Sequence, residues 1–268
     1  MKKTIYLIVF IVSVNSCNSP QAIDYIDKGN SKVVLKDYKG ALEDYSIAIK
    51  LDPTNEKALF SSGVSKYLLQ YHFGAIEDFN KAIEIDPNNS DTYYYRGLCK
   101  GEILDYQGAI EDYNTAIKLD PRNANFYLDR GYIKDRLEDY RGAIVDFNKT
   151  IELDPINSRA YFNKGRSKDK LEDHRGAIAD YTKAIELTPS YASAYFWRAE
   201  TKRKAKDYSG TLEDYSKAIE LEPSSIYYFM RGLFKLELGQ KNSGCLDFSK
   251  AGELGDPTAY DAIRKVCN

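Results

Sequence analysis

The chain has 268 residues, with 38 basic and 40 acidic side chains and a formal net charge of -2. This balance excludes the basic excess with which dedicated nucleic-acid-binding proteins neutralise phosphates. Hydrophobic residues make up 43%, enough for a folded core, whereas two histidines leave most acid–base and metal chemistry without its commonest side chain.

The first segment is typical of an export signal. Residues 1–3 are positively charged, and residues 4–14 form an uncharged, mostly apolar run. Eleven helical residues reach only about 17 Å, short of the roughly 30 Å of hydrocarbon in a bilayer, so the run predicts a signal peptide. Residues 14–17 (Val-Asn-Ser-Cys) resemble a bacterial lipobox, which implies cleavage after residue 16 and lipidation of Cys17. The alternative is an ordinary secretory signal followed by a chance cysteine.

A fixed period dominates the rest of the chain. Seven of the eight prolines are spaced by 34 residues: Pro53, Pro87, Pro121, Pro155, Pro189, Pro223 and Pro257. A period of 20 to 50 residues indicates stacked structural repeats, each of which buries its apolar face against its neighbours. The mature chain is therefore expected to be a single array of repeats.

Each repeat contains two helical stretches. The first is expected to begin at an Asn or Ser that follows the proline, a residue type suited to capping a helix N-terminus. These predicted caps are Asn55, Asn89, Asn123, Asn157 and Ser225. The second stretch follows an Asp-aromatic-x-Gly-Ala turn, and its apolar residues recur three and four apart, which is a helical period. Proline then ends the repeat because it cannot continue the helix.

The repeated pattern resembles the tetratricopeptide repeat. With the proline as position 32, position 8 is small (Gly29, Gly63, Gly97), position 20 is mostly alanine, and position 24 is always aromatic. The resemblance implies an all-α, right-handed superhelical solenoid of seven helix-turn-helix units. A signal peptide (1–16) and a lipidated linker (17–21) precede repeats at about 22–55, 56–89, 90–123, 124–157, 158–191, 192–224 and 225–256. Residues 257–268 are predicted to form a capping helix, with Asp256 as its N-cap.

No residue pattern indicates catalysis, a cofactor or a metal. His72 and His174 both occupy position 17, where other repeats have tyrosine, and are expected to pack at the turn. Aspartate recurs at position 23 and lysine at position 11 in every repeat. An active site would occur once, so these charges predict ion pairs or a solvated face.

The cysteines divide into three kinds. Cys17 is assigned to the lipid, and Cys99 to the core. Cys245 and Cys267 lie ten and twelve residues from the turn at Gly255, so on antiparallel helices they could face each other. In an exported protein this predicts a disulfide that fastens the capping helix.

In proteins that this chain resembles, positions 2, 5, 9 and 12 of each first helix line a concave groove. The predicted binding residues are Phe60, Tyr67, Tyr94, Leu128, Tyr132, Arg159, Phe162, Arg166, Phe196, Arg203 and Phe229. Such a groove would be apolar and aromatic towards the N-terminus and charged around repeats 5 and 6. The alternative is that part of this ladder packs against neighbouring repeats and that the arginines are solvated.

These features together predict a non-enzymatic protein-interaction scaffold, anchored by lipid alone in a bacterial envelope. Its partner would be a peptide or protein, not a nucleic acid. The residues after Cys17 lack an aspartate at the second position, which by analogy favours the outer membrane and its periplasmic face. The alternative function is a glycan- or nutrient-binding lipoprotein that stacks sugars on Tyr94, Tyr132 and Trp197.

Overall fold

The computed structural model describes residues 19–267, so Cys17 and the predicted signal peptide lie outside the described part of the chain. Within it there are fifteen helices and no strand, which confirms the all-α prediction. The helices are α1 Pro20–Val34, α2 Tyr38–Leu51, α3 Glu56–Leu68, α4 His72–Ile85, α5 Ser90–Glu102, α6 Tyr106–Leu119, α7 Ala124–Arg136, α8 Tyr140–Leu153, α9 Ser158–Lys170, α10 His174–Leu187, α11 Ala192–Lys204, α12 Tyr208–Leu221, α13 Ser225–Glu237, α14 Lys241–Glu253 and α15 Pro257–Val266. None of these helices is both long enough and apolar enough to cross a bilayer.

The helices form two compact units. Unit 1 covers residues 19–119 and contains α1 to α6, and unit 2 covers 120–267 and contains α7 to α15. Inside each unit an odd-numbered helix packs against the even-numbered helix that follows it, and the last helix, α15, packs on α14. The odd-numbered helices α1 to α13 are therefore the first helices of the repeats, as the sequence period predicts.

Close contact between paired helices depends on a small residue facing an aromatic ring. A Cβ atom added to Gly131 of α7 would lie 2.8 Å from Cε1 of Phe147 on α8, closer than carbon atoms approach one another. Phe147 and its counterparts at position 24 are fully or almost fully buried in every repeat. Glycine at position 8 thus lets the two backbones approach until the ring fills the space between them.

The turn inside each repeat has a left-handed residue that sequence analysis did not anticipate. At position 15 the backbone φ lies between 61° and 65° in six non-glycine residues of the described chain: Lys36, Gln70, Leu104, Glu138, Glu172 and Lys206. Repeat 7 has Gly239 there. The next residue is usually the aspartate that caps the second helix; Asp105 Oδ1, for example, accepts a hydrogen bond from Gly108 N at 3.0 Å.

Four of the five predicted caps of first helices are confirmed. Asn55, Asn89, Asn123 and Asn157 each accept a backbone N–H of the first turn on their side-chain oxygen. Ser225 was the wrong residue, because α13 begins with it and Ser224 is the residue at the N-cap, without a side-chain bond. Repeat 6 is one residue shorter, which shifts this helix start relative to the others.

The C-terminal helix starts and is fastened as the sequence suggested. Asp256 accepts the N–H of Thr258 at 2.9 Å, and Pro257 is the first helical residue. A disulfide joins Cys245 of α14 to Cys267, with the two Cα atoms 5.8 Å apart. Ala259 of α15 is buried in a cluster with Phe248 and Ala251 of α14, so the helix covers the apolar end of repeat 7.

The aspartates at position 23 are buried ion-pair centres. Asp146 is 1% exposed and accepts hydrogen bonds from Arg130 Nε at 2.9 Å and Nη2 at 2.6 Å. Lys134 Nζ lies 2.8 Å from Oδ2 of the same carboxylate, the oxygen that also accepts from Arg130 Nε. Arginine comes from position 7 of the first helix and lysine from position 11, so one carboxylate ties the two helices together. Of the two predicted alternatives, ion pairs are correct and a solvated face is wrong.

Candidate functional site

The predicted binding residues occupy positions 2, 5, 9 and 12 of the first helices, which we call the groove face. In unit 1 this face belongs to α1, α3 and α5, and each of these helices contacts the next. In unit 2 it includes α7, α9 and α11, which also contact in sequence. The two units present different chemistry on this face and are described separately.

An aromatic cluster forms the groove face of unit 1 on α3 and α5. The ring of Tyr95 lies 5.6 Å from Phe60, 6.1 Å from Tyr67 and 5.4 Å from Tyr94, each measured between ring centroids. All four side chains are partly exposed. Tyr95 was missed by the sequence analysis because it occupies position 6, between two predicted positions. The cluster offers a surface of rigid, amphipathic rings.

A cavity of about 490 Å³ lies beside α1 and α3 on the same face. Its lining includes Ile23, which is 43% exposed, and Ile26, Asn30 and Glu56. Asn30 Oδ1 is held by a hydrogen bond from the Tyr45 hydroxyl at 2.8 Å. Apolar walls with a few oriented polar groups are typical of sites that accept a side chain.

Glu56 lies in the wall of this cavity, and the pKa of its carboxyl is raised. Burial raises the pKa of its carboxyl above the ordinary value, an effect partly opposed by a 2.8 Å hydrogen bond from Asn89 Nδ2. That hydrogen bond joins the first helix of repeat 2 to the cap of repeat 3. The carboxyl of Glu56 therefore keeps its proton to a higher pH than an exposed glutamate does.

In unit 2 the predicted ladder at position 5 is largely wrong. Leu128, Phe162 and Phe196 are 2%, 8% and 9% exposed and belong to the core. Position 5 packs against the aromatic ring at position 24 of the same repeat, as Phe60 and Phe79 do in unit 1. In repeats 5 and 6 a second ring covers it as well: Tyr191 lies 4.9 Å from Phe162, and Tyr227 lies 4.8 Å from Phe196. The ring of Phe162 lies 5.8 Å from that of Tyr181, and Phe196 lies 5.9 Å from Tyr215.

Phe229 in repeat 7 has the same packing but is less deeply covered. Its ring lies 5.4 Å from that of Phe248, and the side chain is half-buried. Tyr132, at position 9, is the predicted aromatic of unit 2 that stays exposed, and Leu233 at the same position of repeat 7 is exposed too. In repeats 4 and 7, position 9 therefore provides accessible apolar atoms on the groove face.

The predicted arginines of unit 2 are mostly engaged by acidic groups of the same chain. Arg203 contacts Glu200 at 3.3 Å and Glu237 of repeat 7 at 3.1 Å. Arg166 lies 3.6 Å from Asp135 and stacks over the ring of Trp197 at 5.9 Å. Their assignment as cations open to a partner is therefore corrected, whereas Arg159 is exposed as predicted.

Two buried carboxylates anchor this charged network. Asp135 accepts a hydrogen bond from Ser167 Oγ at 2.6 Å, and Asp169 contacts Lys204 Nζ at 2.5 Å. His174 Nδ1 lies 2.9 Å from the other oxygen of Asp169, so this histidine binds an acidic side chain as well as packing at the turn. The Ser167–Asp135 and Lys204–Asp169 pairs each link one repeat to the next, and the His174–Asp169 pair lies within repeat 5, so these contacts are part of the scaffold.

Glu200 has a further partner inside its own repeat. The hydroxyl of Tyr215 donates a hydrogen bond to Glu200, and burial together with this carboxylate raises the pKa of Tyr215. Tyr215 thus keeps its proton and holds the groove-face carboxylate of Glu200 in place. Asn30 and Tyr45 repeat this arrangement in unit 1 with a neutral acceptor.

The rings proposed for sugar stacking are not equally available. Tyr94 packs edge-on against Tyr95 and lies 6.0 Å from Tyr113, and one neighbour of Trp197 is the guanidinium of Arg166. Tyr132 is exposed. Among residues 19–267, no group of three or more His, Cys, Asp or Glu side chains is arranged to hold a metal ion.

Comparison with protein-family models gives a consistent result. A model described as tetratricopeptide repeat matches residues 57–89, 124–157 and 158–191. A second with that description matches 79–111, and one described as TPR repeat matches 105–135. Together the matched segments run without a gap from residue 57 to residue 191, about half of the chain.

Solved structures with similar folds include several repeat proteins. A tetratricopeptide repeat protein from Parabacteroides merdae has a TM-score of 0.71 at 21% identity, over 93% of this chain and 100% of that one. MamA has a TM-score of 0.59 at 28% identity, over 65% and 94%. YrrB, described as a TPR protein with an unusual peptide-binding site, has a TM-score of 0.58 at 19% identity, over 68% and 94%. No curated protein matches the sequence significantly.

Proposed function

This chain belongs to the tetratricopeptide repeat family, and we propose that it is a non-enzymatic scaffold that binds a partner peptide on the groove face of unit 1. Members of this family are typically protein-interaction modules. The observation that carries the proposal is the partly exposed aromatic cluster of α3 and α5, built from Phe60, Tyr67, Tyr94 and Tyr95. An apolar side chain of a partner would bury area against these rings.

The cavity beside α1 and α3 supports an extended peptide as the occupant. Ile23 and Ile26 provide apolar walls, and Asn30, Asp27 and Lys57 provide polar groups at the edge. The cavity and the cluster share α3, so one extended segment could use both. Burial of apolar surface stabilises such a complex by about 25 cal/mol for each Å² removed from water.

The test uses single charges placed within the proposed surface. Val64 and Leu98 occupy position 9 of α3 and α5 and are partly exposed. A partner captured by the full chain from envelope extract is identified, purified and titrated calorimetrically against Val64→Asp and Leu98→Asp. We expect each substitution to weaken the Kd at least tenfold, about 1.4 kcal/mol.

Phe73→Asp is the matched control, because Phe73 is 72% exposed on α4 and is not a groove-face residue. We expect its Kd to stay within twofold of that of the unmodified chain. If Phe73→Asp weakens binding as much as Leu98→Asp, the partner does not use the groove face. Saccharide binding without any protein partner would instead support the glycan alternative.

We also propose that Cys17 is lipidated and anchors the protein in a bacterial envelope, at the periplasmic face of the outer membrane. The sequence of residues 1–17 supports this proposal. Mass spectrometry of the purified mature chain should find an N-terminal cysteine that carries acyl groups, and membrane fractions should contain the protein. A Cys17→Ala chain recovered from membranes in the same amount as the unmodified chain would contradict the anchor.

A further inference from the structure

Repeat 2 lacks a cation that every other repeat has. Position 7 is lysine or arginine in six repeats, and in repeat 2 it is Ser62. The cations at this position are Lys28, Arg96, Arg130, Lys164, Arg198 and Arg231. The aspartate that such a cation contacts is nevertheless retained in repeat 2 as Asp78.

Arg96, Arg198 and Arg231 at position 7 each make the same three contacts. Arg96 donates from Nε and Nη2 to Asp112 at 2.9 and 2.6 Å, and from Nη1 to Asn80 Oδ1 at 2.7 Å. Arg198 does the same with Asp214 at 2.8 and 2.6 Å, and its Nη1 bonds Thr182 Oγ1 at 2.9 Å. For these three arginines the third acceptor is the residue at position 25 of the preceding repeat: Asn80, Thr182 or Ser216. The fold thus builds a guanidinium site from one carboxylate and one neutral oxygen.

In repeat 2 the corresponding space is a cavity of about 360 Å³. It is lined by Ser62, Lys66 and Asp78 of repeat 2 and by Ser46 and Lys50 of repeat 1. Ser46 is the position-25 residue. Leu42 and Ile49 add apolar walls. Every polar group that holds an arginine elsewhere therefore has its equivalent here, and the arginine itself is missing.

Asp78 is buried and only partly engaged. Ser62 Oγ donates to Asp78 Oδ2 at 2.6 Å, and Lys66 Nζ contacts the same oxygen at 2.6 Å. Within residues 19–267, Oδ1 of Asp78 accepts no hydrogen bond. In repeat 3, by contrast, Asp112 binds Arg96 and Lys100 together, which shows that one carboxylate here accommodates two cations.

We infer that this cavity is a receptor site for the guanidinium group of an arginine side chain supplied by a partner protein. The planar fork would donate one arm to Asp78 Oδ1 and another to Ser46, while Leu42 and Ile49 contact its methylene groups. A lysine ammonium cannot reproduce this fork. The site is separate from the groove face, because Ser62 and Val64 point about 160° apart around the axis of α3.

The probe is N-acetyl-arginine methylamide, titrated into the ¹⁵N-labelled full chain in detergent and followed by NMR. We expect saturable shifts of the Ser62 and Asp78 amides with a Kd in the millimolar range, and at least fivefold weaker binding of N-acetyl-lysine methylamide. Ser62→Arg should place the chain's own guanidinium in the cavity, raise the Tm and abolish saturable binding. Ser62→Ala keeps the cavity and should still bind the probe.

Ser46→Ala gives an independent check, because Ser46 is exposed on α2 and its loss should leave the Tm unchanged. It should weaken the arginine probe at least threefold by removing one acceptor. The inference is overturned if the arginine probe gives no saturation with the unmodified chain. It is also overturned if folded Ser62→Arg binds as the unmodified chain does, or if the lysine probe binds equally well.

Discussion

The ion-pair centre at Asp146 yields a quantitative prediction for stability. The carboxylate is 1% exposed, and Arg130 and Lys134 contact both of its oxygens at 2.6 to 2.9 Å. Asp146→Asn would turn an amide NH₂ towards one of these cations and leave two positive groups without a counter-charge. Removing one partner of a buried ion pair typically costs about 3–5 kcal/mol. For a unit of this size that corresponds to a Tm lower by about 6–20 °C.

Thermal and urea unfolding followed by circular dichroism measure this effect, and hydrogen exchange should show the loss concentrated in α7 and α8. Glu152→Gln is the matched control on α8, because its pair with Lys149 is 2.6 Å long but lies at the surface. Exposed pairs contribute about 0–1 kcal/mol, so the control should shift the Tm little. If Asp146→Asn and Glu152→Gln had equal effects, the carboxylate would not be holding the two helices together.

Three further substitutions test the turn, the C-terminal helix and the cavity wall. Leu104 has a φ of 65°, a left-handed conformation that strains every residue except glycine, and repeat 7 has Gly239 at the equivalent place. Leu104→Gly should therefore stabilise unit 1 by roughly 0.5–1 kcal/mol in urea unfolding. A lower urea midpoint would contradict this. The Cys245–Cys267 bridge spans 22 residues, so Cys267→Ser should lower the free energy of unfolding by about 3 kcal/mol. The Tm of this variant should no longer respond to reductant. Free thiols at both positions in the non-reduced chain would refute the bridge. Burial raises the pKa of Glu56, so the folded state holds its proton more tightly and stability should fall as pH rises from about 4.5 through the raised value. Glu56→Gln should flatten this part of the stability profile, and an unchanged profile would show that the carboxyl is not the cause.

Most of the architecture could be predicted because short sequence motifs mark where each helix begins and ends. Proline every 34 residues marks the ends of second helices, and Asn55 or Asn157 marks the start of first helices by supplying a side-chain acceptor. The prediction of Ser225 as an N-cap was wrong because repeat 6 is one residue shorter than the others, which places Ser224 at the N-cap of α13. The left-handed turn residue escaped prediction because Leu104 and Lys36 lack the glycine that usually reveals a positive φ.

The groove face was harder to predict because burial depends on a second helix. Phe162 lies on the predicted face of α9, but it packs on the ring of Tyr181 from α10 and is also covered by Tyr191, whose ring lies 4.9 Å away. The ion pairs had a usable signal. The pairs Arg203–Glu237, Lys204–Asp169 and Arg166–Asp135 are 34, 35 and 31 residues apart, so opposite charges close to the repeat spacing predict contacts between neighbouring repeats.

If the groove face binds a peptide as proposed, the two units would contribute to binding in different ways. On the groove face of unit 2, Arg203 and Asp169 already have partners, so a ligand charge would have to replace bonds that exist in the free protein. Such an exchange adds little affinity, although a wrongly placed charge would be rejected. The rings of Phe60, Tyr67 and Tyr94 in unit 1 are partly exposed, and covering them removes apolar area from water without breaking an ion pair. Affinity for a peptide should therefore come mainly from unit 1. Substitution of Arg203 should lower the Tm more than it weakens the Kd, because Glu200 would lose its cation.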